Sequence, residues 1–291
     1  DDTFAEAFPM KATRLIITAH NPTWAMHAAT ATTGFATSVI ACGVEAGVEQ
    51  WLDESDTPDG RPGAAVLLFT LSGKDIDKQV QNRVGQCVLT SPGSACFNGL
   101  ESARRISLSG GPRFFGDGWQ TARKLGDARY WRVPVMDGEF VIEDKAGVTT
   151  DAVGGGNFLV IGKDRVGVLE TCEVAVAAIA DVPDVITPFP GGIARSGSKV
   201  GSRYKGLPAS TADAFCPTLK GRVETKLHPD ANCAYELVID GVDEAAVGNA
   251  MAVAMRAAVG EGVVAISAGN YGGKLGKFHF PLRPLLAESE G

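Results

Sequence analysis

No apolar run in this sequence approaches the roughly 18–20 residues that a membrane-spanning helix needs. The most tempting stretch, 250–259, is interrupted by Arg256. Residues 1–3 (DDT) show no basic segment leading into an apolar one, so no signal peptide is expected; the chain starts without Met, which leaves room for residues upstream. Cysteine is sparse, and positions 42, 87, 96, 172, 216 and 233 form no Cys-x-x-Cys pair. Cys42, Cys87, Cys172 and Cys233 lie among aliphatic neighbours, as small buried hydrophobes do, so a reducing cytoplasm is expected. The four histidines (20, 27, 228 and 279) are scattered, and no metal site is expected. There is no Gly-x-Ser-x-Gly elbow, and no serine or cysteine has a sequence-level partner histidine, which leaves nucleophilic catalysis little support. Cationic excess is missing too. The net charge is −7, which argues against a nucleic-acid binder.

What is present in excess is glycine: 36 of 291 residues, about 12% against a usual value near 7%. The glycines follow no collagen-like period and cluster at 154–156, 191–201 and 269–276, which marks special loops. Length and a 45% hydrophobic content fit one large domain or two moderate ones.

The first half reads as strand, helix, strand, strand, helix, strand. Residues 14–19 (RLIITA) are β-rich, and Asn21–Pro22 opens a helix to about residue 32, ended by Gly34. Residues 35–48 read as extended, 64–71 (AAVLLFTL) as a buried strand, 74–84 as a helix capped by Ser72, and 86–90 as the last strand. The second half repeats the order. Strands are expected at 157–161, 185–189, 234–239 and 263–267, with helices at 169–180 and 243–259. Each half therefore fits a βαββαβ unit, giving an α+β fold of two ferredoxin-like lobes, 1–146 and 147–291.

Four glycine-bearing segments stand out: TPDGRPG (57–63), GGGNF (154–158), ITPFPGGIARSGSKVG (186–201) and ISAGNYGGKLG (266–276). None is a nucleotide loop. In GIARSGSK (192–199) the serine and lysine are in the wrong order for a Walker motif, and GGG precedes a strand instead of following one. Such loops serve either as tight connections or as walls of a ligand cleft. Arg195, Lys199, Arg203 and Lys205 form a local basic stretch, either a solvated surface run or an anion-holding spot. In residues 234–240, Tyr235, Leu237 and Ile239 share one strand face, with Glu236, Val238 and Asp240 on the other. Both faces carry apolar residues, so Glu236 is either a solvent-facing edge glutamate or a carboxyl in an apolar setting, able to donate a hydrogen bond to an oxyanion.

These segments resemble the formylmethanofuran–tetrahydromethanopterin formyltransferase family. The strings that carry the resemblance are TFAEAFP (3–9), GFATSV (34–39), TPDGRPG (57–63), GQCVLT (85–90), GGNF (155–158), ITPFPGGI (186–193), SGSK (196–199), YE (235–236) and ISAGNYGGKLG (266–276). The resemblance implies two duplicated ferredoxin-like lobes, a homo-oligomer (a tetramer or dimer of dimers), no metal and no tightly bound cofactor. Methanofuran and tetrahydromethanopterin would be carrier co-substrates, and neither nucleic acid nor membrane a partner. Further subunits of a formyltransferase/hydrolase complex are possible partners. The implied reaction is direct acyl transfer: N5 of the pterin attacks the formyl carbon, an oxyanion forms, and the amine departs after protonation. By the same resemblance, Glu236 is expected at the position of the family's proposed catalytic glutamate. The two long loops supply the expected substrate-binding residues: Thr187, Pro188, Phe189, Gly191, Gly192, Arg195, Ser196, Ser198, Lys199 and Tyr204 from one, and Asn270, Tyr271 and Lys274 from the other. A competing expectation is a non-catalytic subunit that binds the formylated carrier and scaffolds a hydrolase complex.

Overall fold

In the computed structural model, which describes residues 1–207 and 209–288, the first strand, β1 (Phe4–Pro9), joins the C-terminal half of the chain. It pairs antiparallel there through Phe8↔Gly154 and Ala5↔Phe280. Two compact units result: Met10–Ala152, and Asp1–Pro9 together with Val153–Gly291. The break therefore falls six residues beyond the expected 146/147 junction, and the short apolar TFAEAFP segment belongs with the later half.

The N-terminal unit runs β2 (Lys11–Thr18), α1 (Pro22–Thr33), α2 (Val39–Cys42), β3 (Glu45–Leu52), β4 (Gly63–Thr70), α3 (Gly73–Arg83) and β5 (Ala95–Asn98). The four strands lie in the order β5-β2-β4-β3, which is the split βαβ arrangement expected of a βαββαβ unit. Its core packs Leu15, Ile17, Val66 and Leu68 of the sheet against Ala28, Ala29, Ile76 and Val80 of the helices. The unit continues through β6 (Arg105–Ser107), β7 (Thr121–Leu125), β8 (Ala128–Val135), β9 (Gly138–Glu143) and β10 (Lys145–Gly147). Strand β9 pairs parallel to β5 and carries β8 and β7 outward.

Two expectations for this unit are corrected. Residues 35–48 are not one extended segment. Ser38 Oγ accepts from Ile40 N, Glu45 Oε1 accepts from Val39 N, and Gly43 closes the turn at φ 72°, so α2 forms before β3 begins. Residues 86–90 are not a strand. The chain stays helical through Val88, in a wide turn closed by Leu89 N donating to Val84 O, and Val84 and Val88 are both buried. A short apolar run is ambiguous between helix and strand, and burial four residues apart decides for helix here. The closing strand is β5 instead.

The C-terminal unit runs β11 (Val153–Gly162), α4 (Arg165–Ala178), β12 (Val185–Ile186), β13 (Ile193–Ala194), β14 (Cys233–Gly241), α5 (Glu244–Ala257), β15 (Val263–Ser267), β16 (Phe278–Pro281) and α6 (Leu282–Glu288). Strand β11 sits between β14 and β15, and the edge of β14 is shared by β12 and β13. The same split plan recurs. The expected strand at 185–189 stops at Ile186, where Pro188 follows, and resumes as β13.

Helices α4 and α5 cover one sheet face, where Phe158, Val160, Leu237 and Ile239 meet Val168, Cys172, Val247 and Met251. Burying a side chain of this size stabilises by about 1.5–3 kcal/mol. The triple glycine is explained by this packing: Gly155 takes φ 85° at a bulge, and a Cβ on Gly156 would lie 2.3 Å from Val247 Cγ1. Asp243 caps α5 by accepting from Ala246 N at 2.8 Å. Replacement Asp243→Ala is expected to lower stability by about 1 kcal/mol, read from the urea midpoint.

Candidate functional site

The sheet face of the C-terminal unit that points away from α4 and α5 has a different character. Pleating places Glu236 there, on β14, beside Leu159 of β11 on one flank and Ala194 of β13 on the other. Leu159, Ile161, Leu227 and Ala231 are buried on this face, with Phe215, Ala234 and Ala265 packed against them. The cover over these strands comes from the long segment between β13 and β14, which supplies Phe215, Leu227 and Ala231.

Glu236 is partly buried, and among the described residues its carboxylate has no hydrogen-bond or ion-pair partner. Burial pushes the carboxyl up from the usual carboxylate range to about 7. Among the described residues no compensating charge or donor offsets that effect, so the group is poised between acid and base near neutrality. Asn157, two residues before Leu159 on the same strand, lies diagonal to Glu236. Its amide is fully used: Oδ1 accepts from Gly269 N at 2.7 Å, and Nδ2 donates to Gly155 O at 3.0 Å and to Gly269 O at 3.3 Å.

The expected binding residues fall into separate places. Thr187, Pro188, Phe189, Gly191 and Gly192 form the connection from β12 to β13. Gly192, at φ 78°, is required by packing, because a Cβ there would lie 2.7 Å from Val176 Cγ1 and 2.8 Å from Thr187 Oγ1. Gly191 and Arg195 border a 300 Å³ pocket with Leu169, Glu173, Ile193 and Tyr235, which is the α4 side of the strand and not the Glu236 side.

Ser196 and Tyr204 are exposed. The Ser198 carbonyl accepts from Ala212 N at 3.2 Å, and Lys199 Nζ donates to Ala209 O at 2.8 Å, so that lysine braces its own loop. Asn270 also braces: Nδ2 donates to Thr3 Oγ1 and Phe4 O, and Oδ1 accepts from Gly272 N. Tyr271 shares a 3.2 Å hydrogen bond between its hydroxyl and Ser210 Oγ, which joins the 266–276 loop to the long segment between β13 and β14. Lys274 is exposed.

Pattern alone does not single out Asn157, Ser210 or Glu6, although a lone carboxylate inside the apolar run FAEAF is a signal of a buried charge that needs donors. Among the described residues no three His, Cys, Asp or Glu side chains are grouped to hold a metal ion, all six cysteines are free, and no helix is long and apolar enough to cross a membrane.

Comparisons with known proteins bear on the family to which the chain belongs. Residues 1–135 match the family model described as formylmethanofuran-tetrahydromethanopterin formyltransferase, and residues 138–285 match that family's proximal-lobe model. A formylmethanofuran–tetrahydromethanopterin formyltransferase of Methylococcus capsulatus is 56% identical, covering 99% of this chain and 97% of the relative. The formyltransferase/hydrolase complex of Methylorubrum extorquens, solved with methylofuran, contains a chain that superposes at TM-score 0.94. That chain is 52% identical, and 98% of this chain and 96% of the other are covered. The corresponding transferase of Methanosarcina barkeri gives TM-score 0.92 at 45% identity, covering 98% of this chain and 97% of the other. With both halves matched and identity above half over nearly the whole length, the chain belongs to the formylmethanofuran–tetrahydromethanopterin formyltransferase family.

Proposed function

We propose that this chain moves a formyl group between the aminomethyl nitrogen of formylmethanofuran and N5 of tetrahydromethanopterin, with Glu236 as its acid–base group. The observation that carries the Glu236 assignment is an unpartnered carboxyl on an apolar sheet face, with a pKa raised to about 7. Direct acyl transfer needs little else. The N5 lone pair attacks the formyl carbon, and the carbonyl π pair moves onto oxygen. The protonated carboxyl then donates to that oxyanion, where a preorganised donor is worth most. Collapse expels the amine, which takes up a proton, while N5 gives one up. A group titrating near neutrality serves both transfers.

The remaining roles follow the same reading. Lys199, Arg203 and Lys205 provide positive charge for the anionic tails of the carriers, Arg195 lying on the α4 side away from Glu236, and the 196–199 and 270–274 segments form the walls that orient them. The chain works as a homo-oligomer in the cytoplasm, with no tightly bound cofactor. A place beside other chains is supported by the Methylorubrum extorquens relative, whose name makes it one component of a formyltransferase/hydrolase complex.

The experiment is a two-carrier assay of the purified chain with no other protein and no ATP. Formyl appears on the pterin if the reading is correct. Binding of the formylated carrier without transfer would make the chain a scaffold instead.

A further inference from the structure

Glu6 lies in β1 with 1% of its surface exposed. Its carboxylate accepts four backbone N–H groups from one loop: Oε2 from Tyr271 (2.7 Å) and Gly273 (2.9 Å), Oε1 from Leu275 (2.6 Å) and Gly276 (2.5 Å). Burial alone would push this carboxyl up, but the four donors outweigh it and hold its pKa down at about 2. The group therefore stays ionised, with its acceptor capacity spent on one loop. Asn270 ties the same loop to Thr3 and Phe4, and Asn157 ties it at Gly269.

The loop so fixed carries one aromatic side chain outward, Tyr271, to Ser210. One loop starts at the strand next to Glu236 and the other two strands away. The segment that contains Ser210 leaves the sheet after Ala194, the β13 partner of Glu236. The Tyr271 loop leaves after Ser267, the β15 partner of Leu159, which is the other neighbour of Glu236. The segment that leaves the strand next to Glu236 and the loop that leaves β15, one strand beyond Leu159, are thus joined by one Ser–Tyr hydrogen bond, and the second is anchored by Glu6.

We propose that Glu6 is a positioning residue for formyl transfer: through the 269–276 loop it sets Tyr271 against Ser210 and holds the walls around Glu236 in the conformation that orients the two carriers. This rests on the placement of the reaction at Glu236. Two-substrate transfer is sensitive to such walls, since a misplacement of about 1 Å can cost about 10²-fold.

The test is steady-state kinetics on the full chain carrying Glu6→Gln, Tyr271→Phe, both together, and Ser210→Ala, each assayed well below its own melting temperature. In Glu6→Gln an amide NH₂ faces two of the loop N–H groups, donor against donor. Expected is a loss in kcat/KM of about 10-fold or more for Glu6→Gln and about 3-fold for Tyr271→Phe, with the double variant within about twofold of Glu6→Gln alone. The pH at which the rate is half-maximal should not move in Glu6→Gln, because Glu6 acts through the loop and not on the transferred proton. Additive losses in the double variant would reduce Glu6 to a structural anchor and overturn the proposal. So would wild-type kcat/KM in both Tyr271→Phe and Ser210→Ala, an arm that decides even if Glu6→Gln fails to fold. Full activity in Glu236→Gln would overturn the location of the site instead, and that result is read separately.

Discussion

Glu236→Gln is expected to slow formyl transfer by about 10²-fold or more, with a smaller change in KM. The amide keeps the shape of the side chain and can still donate a hydrogen bond, so carrier binding and the sheet face should survive. What it loses is the transferable proton. In the proposed reaction the oxyanion needs a donor stronger than the ground-state carbonyl does, and the leaving amine needs protonation. Neither need is met by a neighbour, because among the described residues nothing hydrogen-bonds to Glu236 and no charge lies against it. A drop in kcat with unchanged KM is the signature of an interaction made only in the transition state. Steady-state rates with both carriers saturating check it.

The same substitution is expected to stabilise the folded chain at alkaline pH. Glu236 ionises near 4.5 in the unfolded chain and near 7 in the folded one. Between these values the folded state holds a proton that the unfolded chain has released, so wild-type stability falls as pH rises across that window. Above about 7 the cost is complete, and below about 4.5 it is absent. The shift converts to about 3 kcal/mol at most, and partial water access to the carboxylate brings it nearer about 2 kcal/mol. Glutamine carries no charge at any pH. Urea midpoints for the two chains should therefore coincide near pH 4.5 and separate in favour of Glu236→Gln above pH 7. An active-site group that costs stability where it is active is the expected pattern for a residue kept for chemistry.

Both halves of the chain were legible as βαββαβ units because their strands are either wholly apolar, as in AAVLLFT, or bounded by capped helices, as after Asn21 and Ser72, whereas the Asp164 cap starts α4 four residues before the expected 169. What local pattern cannot supply is partnership across long separations. TFAEAFP reads as a strand of whichever half it precedes, and only pairing with residues 154 and 278–281 assigns it to the later unit. GQCVLT has equal claims to helix and strand until Val84 and Val88 are seen buried four residues apart. Alternation marked Glu236 as a carboxylate amid Leu237 and Val238 but left a solvent-facing edge reading open; the family resemblance is what favoured the catalytic one. The loops were identified as segments, yet their internal work was not. Lys199 and Asn270 brace backbone, while Gly191 and Arg195 face the α4 side of the sheet. The lone carboxylate of FAEAF marks Glu6 as a charge in need of donors but not which ones, because its partners are backbone groups some 270 residues away, and backbone groups leave no mark on a sequence.

The central claim, that one partly buried carboxyl poised near neutrality runs the transfer, is tested most directly by kcat/KM against pH for the wild type and Glu236→Gln in the two-carrier assay. The wild type should lose activity toward the pterin through a single ionisation at about pH 7, and the glutamine chain should show only its low residual rate with that ionisation gone. The same ionisation persisting in Glu236→Gln at an undiminished rate would contradict the assignment and place the titrating group elsewhere.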